Sequence, residues 1–170
     1  VFVAVLGTVG WQQYQGFIAS QTEVASDLYA AMLANHLGEG DPDALAALAT
    51  QLRDDHASST YARFGAMLEA RIAVDAGDLP GAEVALRWAL TAGNTGSDIG
   101  QLIQLRLARV LADQGNETEA LAILATGSSA YPVAYAQAEG DIHLAAGRPE
   151  AALTAYRQGR DLSSDLGQYS

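Results

Sequence analysis

The side chains that most often do chemistry are sparse and scattered in this sequence. It contains no cysteine, which excludes disulfides, thiolate catalysis and cysteine-ligated zinc. Its three histidines show no HExxH pattern and no second histidine at i+4, the spacing that brings two imidazoles together on one helix face. They are His36, His56 and His143. We therefore predict no metal site and no cofactor, and we expect these histidines at surfaces or helix ends.

Two glycine-rich stretches could suggest phosphate binding. They are GEGDPD (38–43) and GNTGSDIG (93–100). Neither follows a predicted strand, and phosphate-binding loops need a strand, a turn and a helix to aim backbone N–H groups at the anion. Both stretches therefore indicate ordinary loops. With no catalytic constellation elsewhere, we predict that these residues do not form an enzyme, although an active site in a domain outside them stays open.

Composition and charge narrow the class of partner. The 170 residues are 49% apolar, which suits one globular domain with a sizeable core. The net charge is -11 and the nine basic residues are all arginine. Because a phosphate backbone is bound through Lys and Arg that release counterions, this charge argues against nucleic acid. An anionic lipid surface is disfavoured for the same reason.

Internal repeats organise most of the chain. Three segments, starting near Tyr61, Leu102 and Ala134, share one pattern of small residues around a glycine, and a poorer copy precedes them. Seven residues before the glycine stands Ala70, Ala108 or Gly140. Five residues after it stands Ala82, Ala120 or Ala152, and seven further on Ala89, Gly127 or Gly159. The glycines are Gly40, Gly77, Gly115 and Gly147, separated by 37, 38 and 32 positions.

Each repeat is predicted to be a helical hairpin. Apolar residues recur at i, i+3, i+4 and i+7 in both halves, which is the helical period. The glycine permits the left-handed conformation that ends a first helix, and the small residues allow two helix backbones to approach closely. Asp41 and Asp78 are predicted N-caps of second helices, and Pro42, Pro80 and Pro149 suit their first turns. The sequence therefore predicts an all-α fold of about four stacked hairpins.

This pattern resembles the tetratricopeptide repeat, whose signature includes these small residues and the turn glycine. The resemblance covers residues 61–162 well and 24–55 loosely. The chain departs from the signature in lacking an early aromatic in the first helices and in the long loop at 93–100. These departures suggest a divergent family.

A closer resemblance is to the YfgM family of bacterial inner-membrane proteins. It is carried by the uncharged apolar start, by LIQLRLARVLADQGNETEALAIL and by AQAEGDIHLAAGRPEAALTAYRQG. The resemblance implies a short cytoplasmic tail, one membrane helix and a periplasmic tetratricopeptide-like domain. It also implies an ancillary role at the SecYEG translocon, with a PpiD-like chaperone and export clients as partners.

The first residues are predicted to be the end of a membrane helix. No charged residue precedes Glu23, and Trp11 and Tyr14 have the spacing of an interfacial aromatic pair. Eleven helical residues span about 16 Å, roughly half of a hydrocarbon core. Because the chain begins with Val1 and not Met, we expect a fragment with a membrane helix end and linker at 1–19 and the repeat domain at 20–170. A packed N-terminal helix and the tail of a signal peptide are the alternatives.

A protein-binding surface is predicted on the first helices, which line the concave side of such stacks. One row follows the small residues by one position, and its members are Arg71, Arg109 and Asp141. Four positions earlier lies a second row, Met67, Leu105 and Gln137, with Phe64 nearby. A groove of this kind receives peptides, with arginines meeting carboxylates or carbonyls. Alternatively, the arginines pair with neighbours such as Glu69 or Asp141, and Phe64, Met67 and Trp88 are core residues.

Two functions follow. The first is a membrane-anchored interaction module on the periplasmic side of the Sec translocon, which works with a periplasmic chaperone in export and folding. The tether would raise the effective concentration of a weak binding surface where it is used. The second is a soluble tetratricopeptide scaffold that organises an unrelated complex.

Overall fold

The computed structural model describes residues 21–38 and 40–167, and this part of the chain is helical, without strands. Helix α1 covers residues 21–37 of it. The others are α2 (Pro42–Asp55), α3 (Thr60–Asp75), α4 (Leu79–Thr91), α5 (Asp98–Asp113), α6 (Glu117–Leu124), α7 (Pro132–Ala145) and α8 (Pro149–Gly167). The predicted all-α fold is confirmed. The predicted membrane helix end, residues 1–19, lies outside the described residues, and no helix among those described is long and apolar enough to span a bilayer.

Three of the predicted turn glycines adopt the left-handed conformation. Gly77, Gly115 and Gly147 have φ of 78°, 83° and 72° and follow α3, α5 and α7 directly. In each turn the amide after the glycine donates to the carbonyl five residues earlier, as from Asn116 N to Leu111 O at 2.8 Å. This bond satisfies one of the carbonyls that a helix end leaves unpaired. The same short sequence signal thus ends three helices in one way.

The second helices of two hairpins begin as predicted. A side-chain oxygen of Asp41 accepts a hydrogen bond from the Asp43 amide at 2.9 Å, and that of Asp78 accepts one from the Gly81 amide at 3.0 Å. These carboxylates satisfy amides that have no partner inside the helix. Prolines lie in the first turn of four helices, where a missing N–H costs no hydrogen bond. They are Pro42, Pro80, Pro132 and Pro149.

Gly127 was predicted to be a small packing residue inside a second helix, and that prediction is wrong. Helix α6 ends at Leu124, and Gly127 lies beyond it with φ of 73°. The Gly127 amide donates to the Leu124 carbonyl at 3.0 Å and closes the turn after the helix. Since the next residues are two serines, which favour turns, α6 ends a full turn earlier than its counterparts.

The chain divides into two compact units, with the boundary between Leu68 and Glu69 inside α3. In the first unit, Met32 and Leu52 are fully buried. Gly65 makes room for them, because a Cβ added there would lie 2.9 Å from the Leu52 Cδ1 atom. Tyr29 packs against Tyr61 and Phe64 with ring centroids 6.1 and 5.8 Å away.

In the second unit α5 packs against three other helices. It contacts α4, α6 and α7, while α7 and α8 form the most extensive helix pair. Because α5 has neighbours on several sides, it buries half of its length, including the fully buried Ile103, Leu107 and Leu111. The α7–α8 contact depends on Gly140, where an added Cβ would meet the Tyr156 ring, and on Gly159, where it would lie 3.4 Å from the Ala136 Cβ. Close approach at Gly140 and Gly159 is confirmed.

Candidate protein-binding surface

The outer face of α5 is one stripe of charged residues. Asp98, Arg106, Arg109 and Asp113 are its exposed residues, and Leu102 is half-buried between them. Their spacings of three and four positions place them on one side of the helix. Arg106 and Arg109 are three residues apart, so their side chains leave the helix about 5 to 6 Å from each other. This stripe is what α5 leaves uncovered after packing against three helices.

Helix α7 packs against α5 and has an exposed face of its own. Gln137, Asp141 and Leu144 are exposed there at spacings of four and three residues. The Asp141 carboxylate accepts a hydrogen bond of 2.7 Å from the Tyr156 hydroxyl on α8. This bond raises the pKa of Tyr156, because the acceptor is an anion. Arg106, Arg109, Gln137 and Asp141 are together called the first-helix face below.

The seven predicted contact residues do not share one environment. Arg109, Gln137 and Asp141 lie on the first-helix face. Met67 and Leu105 are only 6% and 4% exposed, so their side chains belong to the cores of their units and offer no surface.

The other two predicted residues, Phe64 and Arg71, lie elsewhere. Phe64 is half-buried in the aromatic cluster of the first unit. Arg71 is exposed, and its Nε atom lies 2.8 and 3.0 Å from the two carboxylate oxygens of Asp75. The alternative of an ion-paired Arg71 therefore holds, with Asp75 as a partner. The two rows read from the sequence thus become one face on α5 and α7.

A second group of arginines in the same unit joins helices together. Arg87 of α4 donates from Nε to Glu83 at 2.7 Å and from Nη2 to Glu119 of α6 at 2.7 Å. Arg148, in the turn before α8, donates from Nη2 to Glu117 of α6 at 2.7 Å. These contacts lower the pKa of Glu83, chiefly through the Arg87 hydrogen bond, and raise that of Arg87, chiefly through Glu119. Arg87 and Arg148 are called the clamp arginines below.

A buried amide joins two loops beside α5. The Gln101 side chain is 8% exposed. Its Nε2 atom donates to the Gly96 carbonyl at 2.9 Å and to the Ser129 hydroxyl at 3.2 Å. Its Oε1 atom accepts from the Ser128 hydroxyl at 2.6 Å and the Ala130 amide at 3.1 Å. Gln101 thus ties the loop before α5 to the loop before α7 and has no capacity left for a ligand.

The two loops border an open polar depression of about 490 Å³. It is lined by Thr95, Gly96, Gln101, Gln104, Thr126, Gly127, Ser128 and Ser129. The lining contains hydroxyls and amides but no charged group and no aromatic ring that could stack on a ligand. The stretch predicted as a loop, 93–100, is a loop only up to Ser97, because α5 begins at Asp98, and Ser97 caps this helix by accepting from the Gly100 amide at 3.2 Å.

The three histidines lie at or in different helices. His36 is exposed at the end of α1, and His56 ends α2. The His143 Nδ1 atom accepts a hydrogen bond of 3.1 Å from Arg148 Nε. Within residues 21–38 and 40–167, no cluster of histidine, aspartate and glutamate side chains could hold a metal ion.

Two residues with clear roles in the structure, Arg106 and Gln101, were not predicted from the sequence. Arg106 follows Leu105 and lay outside both predicted rows, yet it stands beside Arg109 on the exposed stripe. Its spacing of three from Arg109 was the signal that could have found it. Gln101 gave no such signal, because its partners lie 5 and 27 to 29 residues away and meet only in the folded chain.

Comparisons with known proteins agree with this architecture. The family model described as a tetratricopeptide repeat-like domain matches residues 1–166. The chain is 31% identical over 167 residues to a protein named ancillary SecYEG translocon subunit from Aggregatibacter actinomycetemcomitans. That match covers 98% of this chain and 80% of the relative. The search of solved structures gave no significant match.

Proposed function

The chain belongs to the YfgM family of tetratricopeptide repeat-like proteins, and on that premise we propose that it is an ancillary subunit of the SecYEG translocon. The observation that carries the proposal is the 31% identity over 98% of the chain to a protein of that name. The family model over residues 1–166 supports a role in protein binding and not in catalysis. The partners proposed are therefore translocon subunits, a PpiD-like chaperone and export clients.

The proposed location is the periplasmic side of the inner membrane. A membrane helix that ends within residues 1–19 would tether the helical units beside the translocon. The apolar, uncharged sequence before Glu23 supports this tether. Confinement to a membrane raises the effective concentration of a weak binding surface at its site of use.

The proposed contact surface is the first-helix face of α5 and α7. Repeat proteins of this kind commonly bind along the side lined by their first helices. In this chain Gln137 and Arg109 are exposed there, while Leu105 of α5 is buried in the core of its unit.

Site-specific photo-crosslinking in membranes tests the translocon proposal. A photoreactive amino acid replaces Gln137 on α7 in the full-length protein, and Gln158, exposed on α8, serves as the matched control position. We expect translocon subunits to be captured from Gln137 and not from Gln158. Capture of cytosolic proteins alone from both positions would contradict the proposal and favour the unrelated scaffold.

A labelling experiment tests the location separately. The 170 residues contain no cysteine, so Gln158→Cys introduces a single thiol on an exposed helix face of this domain. We expect a membrane-impermeant maleimide to label it in intact spheroplasts. Labelling only after lysis would place the domain in the cytoplasm and contradict the periplasmic assignment.

A further inference from the structure

The arginines of this chain divide into those held by carboxylates and those left uncovered. All nine lie within the described residues. Arg71, Arg87, Arg148 and Arg160 form ion pairs, and Arg53 and Arg63 also have interactions. Arg106, Arg109 and Arg157 have no carboxylate within ion-pair distance among the described residues. Two of these three are neighbours on α5.

Arg106 and Arg109 stand side by side on one exposed helix face. Like charges three residues apart on a helix repel each other. Carboxylates are close along the chain, since Asp113 lies four residues after Arg109, yet that pair does not form an ion pair. Each guanidinium therefore keeps its five N–H donors in a fork that matches a carboxylate.

We infer that Arg106 and Arg109 form a docking site for an acidic polypeptide segment, one that carries two closely spaced carboxylates. This inference deepens the proposed function and rests on it, because it names the chemistry of the partner at the first-helix face. The argument is charge complementarity: two uncovered cations stand side by side, and each bidentate arginine–carboxylate contact is stronger than a neutral hydrogen bond.

The net charge of -11 does not oppose this docking at close range. At physiological ionic strength the Debye length is about 8 Å, so carboxylates farther away than that are largely screened. The acidic residues of the same stripe, Asp98 and Asp113, lie eight residues before Arg106 and four after Arg109. An acidic segment is therefore attracted to the centre of α5 and repelled at both ends of the stripe, which positions it along the helix.

Peptide binding to the full chain tests the inference. The probe is a fluorescent peptide in which glutamates alternate with serines, and its counterpart carries glutamines in place of the glutamates. We expect the glutamate peptide to bind, with an affinity that falls as salt rises from about 0.05 to about 0.5 M. We expect the double substitution Arg106→Gln with Arg109→Gln to weaken binding at least about tenfold, or about 1.4 kcal/mol. Circular dichroism checks that the variants remain helical.

Arg157→Gln is the matched control, because Arg157 is also exposed and has no ion pair to a carboxylate of the described part of the chain, but stands on α8. We expect it to change the affinity less than about twofold. Equal effects of the control and the double variant, or equal binding of the glutamate and glutamine peptides, would overturn the inference.

Arginine-dependent binding to phosphatidylglycerol vesicles without peptide binding would overturn it too, since the site would then serve lipid. One of these outcomes can occur while translocon subunits are still captured from Gln137 in the double variant. The inference then fails, and the proposed function stands.

Discussion

Arginine has opposite surroundings in two regions of the second unit. Between α4, α6 and the α7–α8 turn, the clamp arginines Arg87 and Arg148 donate to carboxylates of α6 at 2.7 Å, and Arg87 also donates to Glu83 of its own helix. On the outer face of α5, Arg106 and Arg109 are exposed and have no such partner among the described residues. The same residue type thus joins the helices in one region and leaves its hydrogen-bonding capacity open in the other.

The comparison separates charges that serve the fold from charges available to a partner. A paired guanidinium between helices contributes to stability, and its removal leaves a carboxylate unpaired. A guanidinium without a partner contributes little to stability. Its removal should therefore lower the affinity for a partner and leave the free energy of unfolding nearly unchanged. Substitutions at paired and unpaired polar groups therefore have distinct expected results, and they form a series from large to small effects.

The largest effect is expected at Gln101, where pairing is complete. Gln101→Ala removes four hydrogen bonds from the loops before α5 and α7 and leaves the Ala130 amide without its acceptor. We expect the free energy of unfolding to fall by about 2 kcal/mol, because a part-buried donor or acceptor without a partner costs about 1 to 3 kcal/mol. Chemical denaturation measures this value.

Gln104→Ala is the control for Gln101. Gln104 is half-buried in the same helix and accepts one long bond of 3.3 Å from the Tyr135 hydroxyl, which also donates to the Gln101 carbonyl at 2.8 Å. We expect a loss below about 0.5 kcal/mol. Equal losses for the two variants would show that the Gln101 network does not stabilise the loops.

A smaller effect is expected at the clamp arginines. Arg87→Gln removes the contacts to Glu83 and Glu119. The Arg87 side chain is 43% exposed, so solvent screens both pairs, and we expect a loss of about 0.5 to 1 kcal/mol. The difference from wild type should shrink in high salt. A loss that is unchanged by salt would point to packing of the side-chain stem and not to the ion pairs.

The clamp also predicts a dependence on pH. Arg87 holds the pKa of Glu83 below its usual value, chiefly by hydrogen bonding. Because the folded pKa is lowered, this stabilisation is present above the unfolded pKa of about 4.3 and is lost as pH falls through the lower, folded value. We expect the free energy of unfolding to fall less steeply with acid in Arg87→Gln than in wild type. Parallel curves below pH 5 would contradict the assignment.

The sequence predicted where helices begin and end better than which residues lie on the surface. The left-handed glycines at 77, 115 and 147 and the aspartate caps at 41 and 78 are local signals, determined by a few neighbouring residues. Gly127 failed because the repeat alignment assumed a second helix of full length. Turn-forming residues follow Gly127, and α6 ends earlier, at Leu124.

Met67 and Leu105 of the predicted contact rows are buried, for a different reason. Equivalent positions in a repeat become equivalent surfaces only if their helices have equivalent neighbours. Helix α5 contacts α4, α6 and α7, whereas α7 contacts α5, α6 and α8. Leu105 of α5 is buried, and the equivalent Gln137 of α7 is exposed. Residue type was the better guide, since an apolar side chain at such a position favours the core. The polar contacts of Gln101 and the clamp arginines join distant segments, which no local pattern reports.

The smallest expected effect on stability belongs to the exposed pair on α5. Arg106→Gln with Arg109→Gln removes no ion pair to a described carboxylate and relieves repulsion between two like charges. We expect the free energy of unfolding to change by less than about 0.5 kcal/mol, or to rise slightly. Denaturation beside Arg87→Gln at the same salt concentration measures the contrast. A loss as large as that of Arg87→Gln would mean that the pair stabilises the fold, and any weakening of acidic-peptide binding would then reflect a less stable α5 instead of a lost contact.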